Sequence, residues 1–230
     1  MTCWIGLNSL LHQLSRNSAQ CGGFVLKVRV LVAVVASAIL ISGCSTKPNL
    51  AGAAAVVGQV KISQSQVTES VNEVFAQIEK LPESSTTQVP TSAQVTRTTV
   101  DRLVRDELFR VATLNPKYAV TQAEISKMRE EAFRDYGKES VESQLASNNG
   151  VPASQIDLFI RNILVQDEII RDLSPTGTQD EQTAALVSYL SGLSSELTVR
   201  VAPRYGEWSS ERLQSVAGDR SLSVPLPVVE

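Results

Sequence analysis

Ala53-Ala54-Ala55-Val56-Val57-Gly58-Gln59-Val60-Lys61-Ile62-Ser63 is the stretch whose reading decides the fold. Val56, Val57, Val60 and Ile62 are β-branched and Gly58-Gln59 suits a tight turn, so the run reads as a small β element. Ser63 is an N-cap for the next segment, since its hydroxyl can accept from an amide of the first helical turn that has no partner inside the helix. The helix predicted there runs roughly from Gln64 to Leu81, with Val67, Val71, Val74, Phe75 and Ile78 on one face at three- and four-residue spacing. Pro82 and the run Glu83 to Thr87 end it, and a polar loop continues through Pro90 to Ser92.

Helical periods dominate the rest of the chain. A second helix is expected over about Ala93 to Leu114, with Val100, Leu103, Val104, Leu108, Val111 and Ala112 as its stripe and Asp101, Arg102, Arg105 and Asp106 opposite. Asn115-Pro116 stops it. Thr121 with Glu124 forms a capping box for a third helix reaching Tyr136, with Gly137 just past its end. A fourth, shorter helix spans about Glu139 to Ala146, and Asn148-Asn149-Gly150 reads as a turn. A fifth covers about Ala153 to Leu173, carrying Ile156, Phe159, Ile160, Ile163 and Ile170. A sixth covers about Asp180 to Leu197, carrying Ala184, Leu186, Val187, Leu190 and Leu193. Thr198 to Val201 then alternates as a short closing strand, and residues 209–230 read as a polar tail. The fold class is mainly α, with a small strand pair formed by the N- and C-terminal segments.

Ahead of this body stands a leader. Lys27 and Arg29 precede an apolar run from Val30 to Ile41, and Leu40-Ile41-Ser42-Gly43-Cys44 closes it. About a dozen apolar residues fall short of the roughly 20 that span a bilayer, so residues 1–43 read as a signal peptide. The closing run resembles the lipobox of bacterial lipoproteins. That resemblance implies cleavage between Gly43 and Cys44, acylation of the Cys44 thiol, and a linker over residues 44–52. Two or three acyl chains, at about 0.8 kcal/mol per buried methylene, hold a protein on a membrane where one is marginal. Membrane lipid would then be a partner through acylated Cys44, on the extracytoplasmic face of the cell membrane. The long stretch before the signal is either a genuine leader or a start written too far upstream, with Val25 or Val28 as the true first residue.

Composition narrows the chemistry. The one histidine is His12, and the cysteines are Cys3, Cys21 and Cys44, so no residue after Cys44 is either. This removes Ser-His-Asp and Cys-His nucleophiles, Cys/His zinc sites, haem ligation by histidine and structural disulfides from the body. All 24 acidic residues follow Cys44, while Arg16, Lys27 and Arg29 precede it, which leaves 18 basic residues and a net charge of −6. Such a body lacks the basic stripe of a nucleic-acid binder, and no metal or cofactor is expected. About 186 residues remain after Cys44, enough for one domain with a core.

Taken in order, leader, Ala54 to Ser63, amphipathic helices and closing strand resemble the N-terminal helical domain of SurA-type chaperones, also seen in lipid-anchored foldases of the PrsA kind. The family's strand–turn–strand residues fall on Val56, Val57, Val60 and Ile62 and its helix cap on Ser63, though Val57 stands where the family has Asn before Gly. Val199 to Trp208 resembles the Val-Asn-Pro-Arg-Tyr-Gly-x-Trp tail of related actinobacterial lipoproteins, with Ala202 in place of Asn. The resemblance covers most of residues 53–208. It implies binding of unfolded or exported polypeptides without isomerase chemistry, because the family's separate parvulin domain has no counterpart block here. The competing reading is an adaptor lipoprotein that scaffolds one defined envelope partner.

Two groups of carboxylates, Glu130-Glu131 with Asp135 and Asp167-Glu168 with Asp172, could in principle supply a general acid and base. Lys127, Arg129, Arg134, Arg161 and Arg171 are interleaved with them, as on a solvated helical face, so no catalytic residue is assigned. Asp167 falls in the register of the Ile163 and Ile170 stripe and is either half-buried beside an arginine or at the stripe's edge in water. Arg204, Tyr205 and Trp208 stand out in a chain with 5% aromatic residues. They either line a client-binding edge through stacking and cation–π contacts or lock the C-terminal segment onto the helices.

Overall fold

β1 (Ala53–Val57) is buried at all five positions, which places it between β2 (Val60–Ser63) and β3 (Arg200–Val201) in a three-stranded antiparallel sheet. The computed structural model describes residues 50–80 and 90–216. Because β1 is covered on both faces, its sequence is a continuous apolar run instead of an alternating one. Val57 pairs with Val60 across the turn, where Gly58 takes φ +59. A side chain is disfavoured at that angle, so the turn closes on glycine without the family's asparagine. The Gly58 amide donates to the Leu197 carbonyl at 2.9 Å, and Ala55 pairs with Val201, so the two ends of the described chain meet here as expected.

Six α-helices are described. α1 (Gln64–Ile78) starts at Ser63, whose hydroxyl and Gln66 form a reciprocal capping box. α2 (Ser92–Ala112) and α6 (Gln179–Leu197) start with similar boxes, Thr91 with Gln94 and Thr178 with Glu181. α3 (Gln122–Tyr136) starts at the expected Thr121–Glu124 box and stops at Gly137. α4 (Lys138–Asn149) is longer than the sequence reading, for Asn148 and Asn149 finish it and Gly150, at φ +62, ends it in the left-handed region. α5 (Ile156–Leu173) follows a 3-10 turn at Ala153–Gln155.

Two apolar cores result. The larger joins β1, α1, α2, the C-terminal half of α5 and α6; the smaller joins α3, α4 and Ile156, Ile160 and Ile163 of α5. The expected stripes face these cores, except that Ala184 is exposed and the half-buried Val111 belongs to neither. α2 packs against α1, α5, α6 and β1, which makes it the central helix. Beyond Trp208, where the domain was expected to end, the chain folds back as a hairpin of β4 (Glu207–Ser209) and β5 (Gln214–Val216), and Leu213 enters the larger core.

Candidate functional site

Four of the seven charged residues of α2, namely Asp101, Arg102, Arg105 and Asp106, are turned away from water. Asp101 and Arg102 are 7% and 5% exposed, and Arg105 and Asp106 are half-buried. The sequence reading placed them opposite the apolar stripe; a central helix has neighbours there too, so that face becomes a buried polar seam. Its four residues form two i,i+4 couples of opposite charge, and each couple addresses a different part of the molecule.

Arg102 and Asp106 join the helices. The Arg102 guanidinium donates to Asp106 Oδ2 at 2.9 Å, Gln155 Oε1 at 2.6 Å, Ser70 Oγ at 2.7 Å and the Gly150 carbonyl at 3.0 Å. Asn162 of α5 donates to Asp106 Oδ1 at 2.7 Å. One guanidinium thereby ties α1, the α4–α5 connection and its own helix, using its fixed fork of donors. Burial pulls the Arg102 pKa down and pushes the Asp106 pKa up, and their mutual attraction opposes both shifts.

Asp101 and Arg105 hold the C-terminal hairpin. Asp101 Oδ1 accepts from the Ser215 amide at 2.9 Å and the Ser215 hydroxyl at 2.6 Å, while Arg105 Nη1 donates to the Leu213 carbonyl at 3.0 Å. Burial raises the Asp101 pKa, and the Ser215 hydrogen bonds and the Arg105 charge pull the other way. On its other side the hairpin is held by Ser194 of α6, fully buried, whose hydroxyl lies 2.9 Å from Ser210 Oγ and accepts from Trp208 Nε1 at 2.8 Å.

The residues singled out in the sequence take distinct places. Trp208 is half-buried against Ser194, and the Tyr205 hydroxyl donates to Gln64 Oε1 at 2.8 Å, so both lock the C-terminal segment onto the helices. Arg204 is exposed, with its guanidinium carbon 4.7 Å from the centre of the Tyr205 ring. Asp167 is buried, at 8% exposure. The other carboxylates are spread along helix surfaces: Asp135 pairs with Arg134, Glu168 with Arg171, and Asp172 with Lys117 and the Tyr118 hydroxyl. Gly43 and Cys44 lie outside the described residues. Among the described residues no helix is long and apolar enough to cross a membrane.

A shallow cleft of about 340 Å³ between α3, α4 and the start of α5 is lined by Arg129, Phe133, Lys138, Glu142 and Asp157. Its cations are already answered, Arg129 by Asp157 at 2.6 Å and Lys138 by Glu142 at 3.7 Å. The large apolar side chains exposed among the described residues, Val60, Leu114, Tyr136 and Leu173, sit at a strand start or at helix ends and do not make a stripe. Sequence reasoning missed Asp101, Arg105, Ser194, Leu213 and Ser215; the one signal was Leu213, a lone aliphatic among polar residues.

A mainly helical domain, closed at its ends by a small sheet, matches a known family. Residues 11–163 match the family described as SurA-like N-terminal domain, and the chain belongs to it. The match begins ahead of the described residues and ends inside α5. No curated protein and no solved structure matches the chain.

Proposed function

We propose that this chain is a lipid-anchored, extracytoplasmic chaperone-like protein that binds unfolded or exported polypeptides and performs no isomerase chemistry. The observation that carries the reading is membership of the SurA-like N-terminal domain family, a chaperone-related family, over more than half of the chain. The matched residues begin ahead of the Leu40 to Cys44 run and continue into the helices, which supports treating the lipobox-like leader and the helical body as parts of one design. The lack of histidine and cysteine after Cys44 supports binding over nucleophilic catalysis. Acylated Cys44 would supply the membrane contact, since a body of net charge −6 has no attraction for anionic lipid.

Light scattering of an unrelated aggregating protein, with and without purified residues 45–230, tests the binding. Suppression near stoichiometric amounts is expected; no suppression, together with a single dominant copurifying partner, would instead identify an adaptor. Radiolabelled palmitate tests the anchor. The wild-type chain should take up label and Cys44→Ala should not.

A further inference from the structure

The hairpin is bound to α2 much as a foreign peptide would be. Asp101 takes a backbone N–H and Arg105 gives to a backbone C=O, and these are groups that almost any polypeptide offers. The two side chains stand one helical turn apart, about 6 Å along the axis, and the groups they bind, the C=O of Leu213 and the N–H of Ser215, flank the single residue Gln214. Leu213, whose carbonyl is one of these groups, inserts its side chain into the core, while Gln214 between them is exposed to solvent. Backbone hydrogen bonds with an apolar pocket at alternate positions are the means by which proteins take extended segments with little regard to sequence.

The occupant is held under strain. Leu213 sits at φ +51, a left-handed angle that a bulky L side chain rarely adopts. Gly206, at φ +111, brings the hairpin's first strand so close to its second that a Cβ there would lie 2.3 Å from the Val216 carbonyl oxygen. The stripes of the helices are otherwise committed to the two cores, and the cleft on α3 has its charges already paired.

We propose that the groove on α2 between Asp101 and Arg105 is a binding site for polypeptide backbone beside an inserted aliphatic residue, and that β4–β5 is the chain's own strap occupying it until a client displaces it. This rests on the client-binding function proposed above and gives that function its place. The strap is joined to the fold through Gly206 and the short β3, so it can swing out without unfolding α2. Asp101 and Arg105 then meet the incoming backbone in the register in which they now hold Leu213 and Ser215.

A reversible staple tests it. Ser194→Cys with Ser210→Cys, in the full-length chain with Cys3, Cys21 and Cys44 changed to Ser, places two thiols where hydroxyls now lie 2.9 Å apart. Binding of fluorescein-labelled, reduced and alkylated lactalbumin, an unfolded chain, is followed by fluorescence anisotropy. The oxidised form should bind at least tenfold more weakly than the same protein after reduction. Leu213→Ser, which loosens the strap, should bind at least threefold more tightly than wild type. Equal binding by the oxidised and reduced forms, while wild type binds, overturns the strap and leaves the client-binding function standing. Binding by none of the forms overturns both. If Leu213→Ser does not fold, the staple alone decides.

Discussion

α2 and α3 carry the same kind of charge pattern and put it to opposite uses. On α3, Arg129, Glu130, Arg134 and Asp135 mix both signs within two turns, as Asp101, Arg102, Arg105 and Asp106 do on α2 in another order. The α3 set lies at the surface: Arg129 pairs with Asp157 at side-chain exposures of 30% and 43%, and Arg134 with its neighbour Asp135. The α2 set is enclosed, and its partners come from residues 70, 150, 155, 162, 213 and 215. Mixed charge on a helix thus says that the charges can pair, and leaves open whether they do so in water. What decides is how many sides of the helix the rest of the chain covers.

The sharpest break between the two regions should come from Arg102→Ala. It strands the Asp106 carboxylate, the Ser70 hydroxyl and the Gly150 carbonyl in a buried space, where removing one member of an ion pair costs about 3–5 kcal/mol. Urea denaturation measures it, and a loss as small as that of a surface pair would erase the distinction drawn here. Asp101→Ala comes next. Leaving the buried Ser215 amide without its acceptor costs about 1–3 kcal/mol, and the loss should be concentrated in the hairpin. Trp208, the one tryptophan after Cys44, reports it directly: its emission should shift to the red before the far-ultraviolet dichroism changes.

Asp172 is an intermediate case, a partly exposed carboxylate joined to a buried phenol. The Tyr118 hydroxyl donates to it at 2.9 Å and the Tyr118 ring meets Tyr189 edge-on at 5.7 Å. Burial, with Asp172 beside it, pushes the Tyr118 pKa up to about 12. The fold therefore favours the neutral phenol, and its contribution is fully present below pH 10, the ordinary tyrosine value, and is lost as pH rises through about 12. Phenolate absorbance should show a late step near pH 12. Tyr118→Phe should remove that late step and cost about 0.5–1.5 kcal/mol at neutral pH. Arg129→Ala should have the smallest effect, about 0.2–1 kcal/mol and declining with added salt, as expected of a pair open to solvent.

Legibility follows the same division. β1, its turn, the Ser63 cap and the apolar stripes could be read because each is written within a few neighbouring residues. Thr91 and Thr178 were as legible as Thr121, each with Gln or Glu three residues on, yet α2 and α6 were begun one residue late. The polar seam could not be read, because no local pattern tells Arg102 that Ser70 and Gln155 will enclose it. The hairpin was taken for tail because β4 and β5 have three residues each, too few for a period to show. Its partners Asp101 and Arg105 lie more than 100 residues away in sequence. Of the residues named as candidate client contacts, Tyr205 and Trp208 fasten the C-terminal segment to the helices, which is the second of the two roles the sequence offers for them.

Amide hydrogen exchange at Ser215 meets the central claim head-on, since that N–H is held by a carboxylate of α2 and not by a regular ladder. In the free protein the amide should exchange slowly. On addition of unfolded lactalbumin, residues 213–216 should lose protection while β1 and β2 keep theirs. Protection at Ser215 that stays unchanged when the client is saturating would contradict the account.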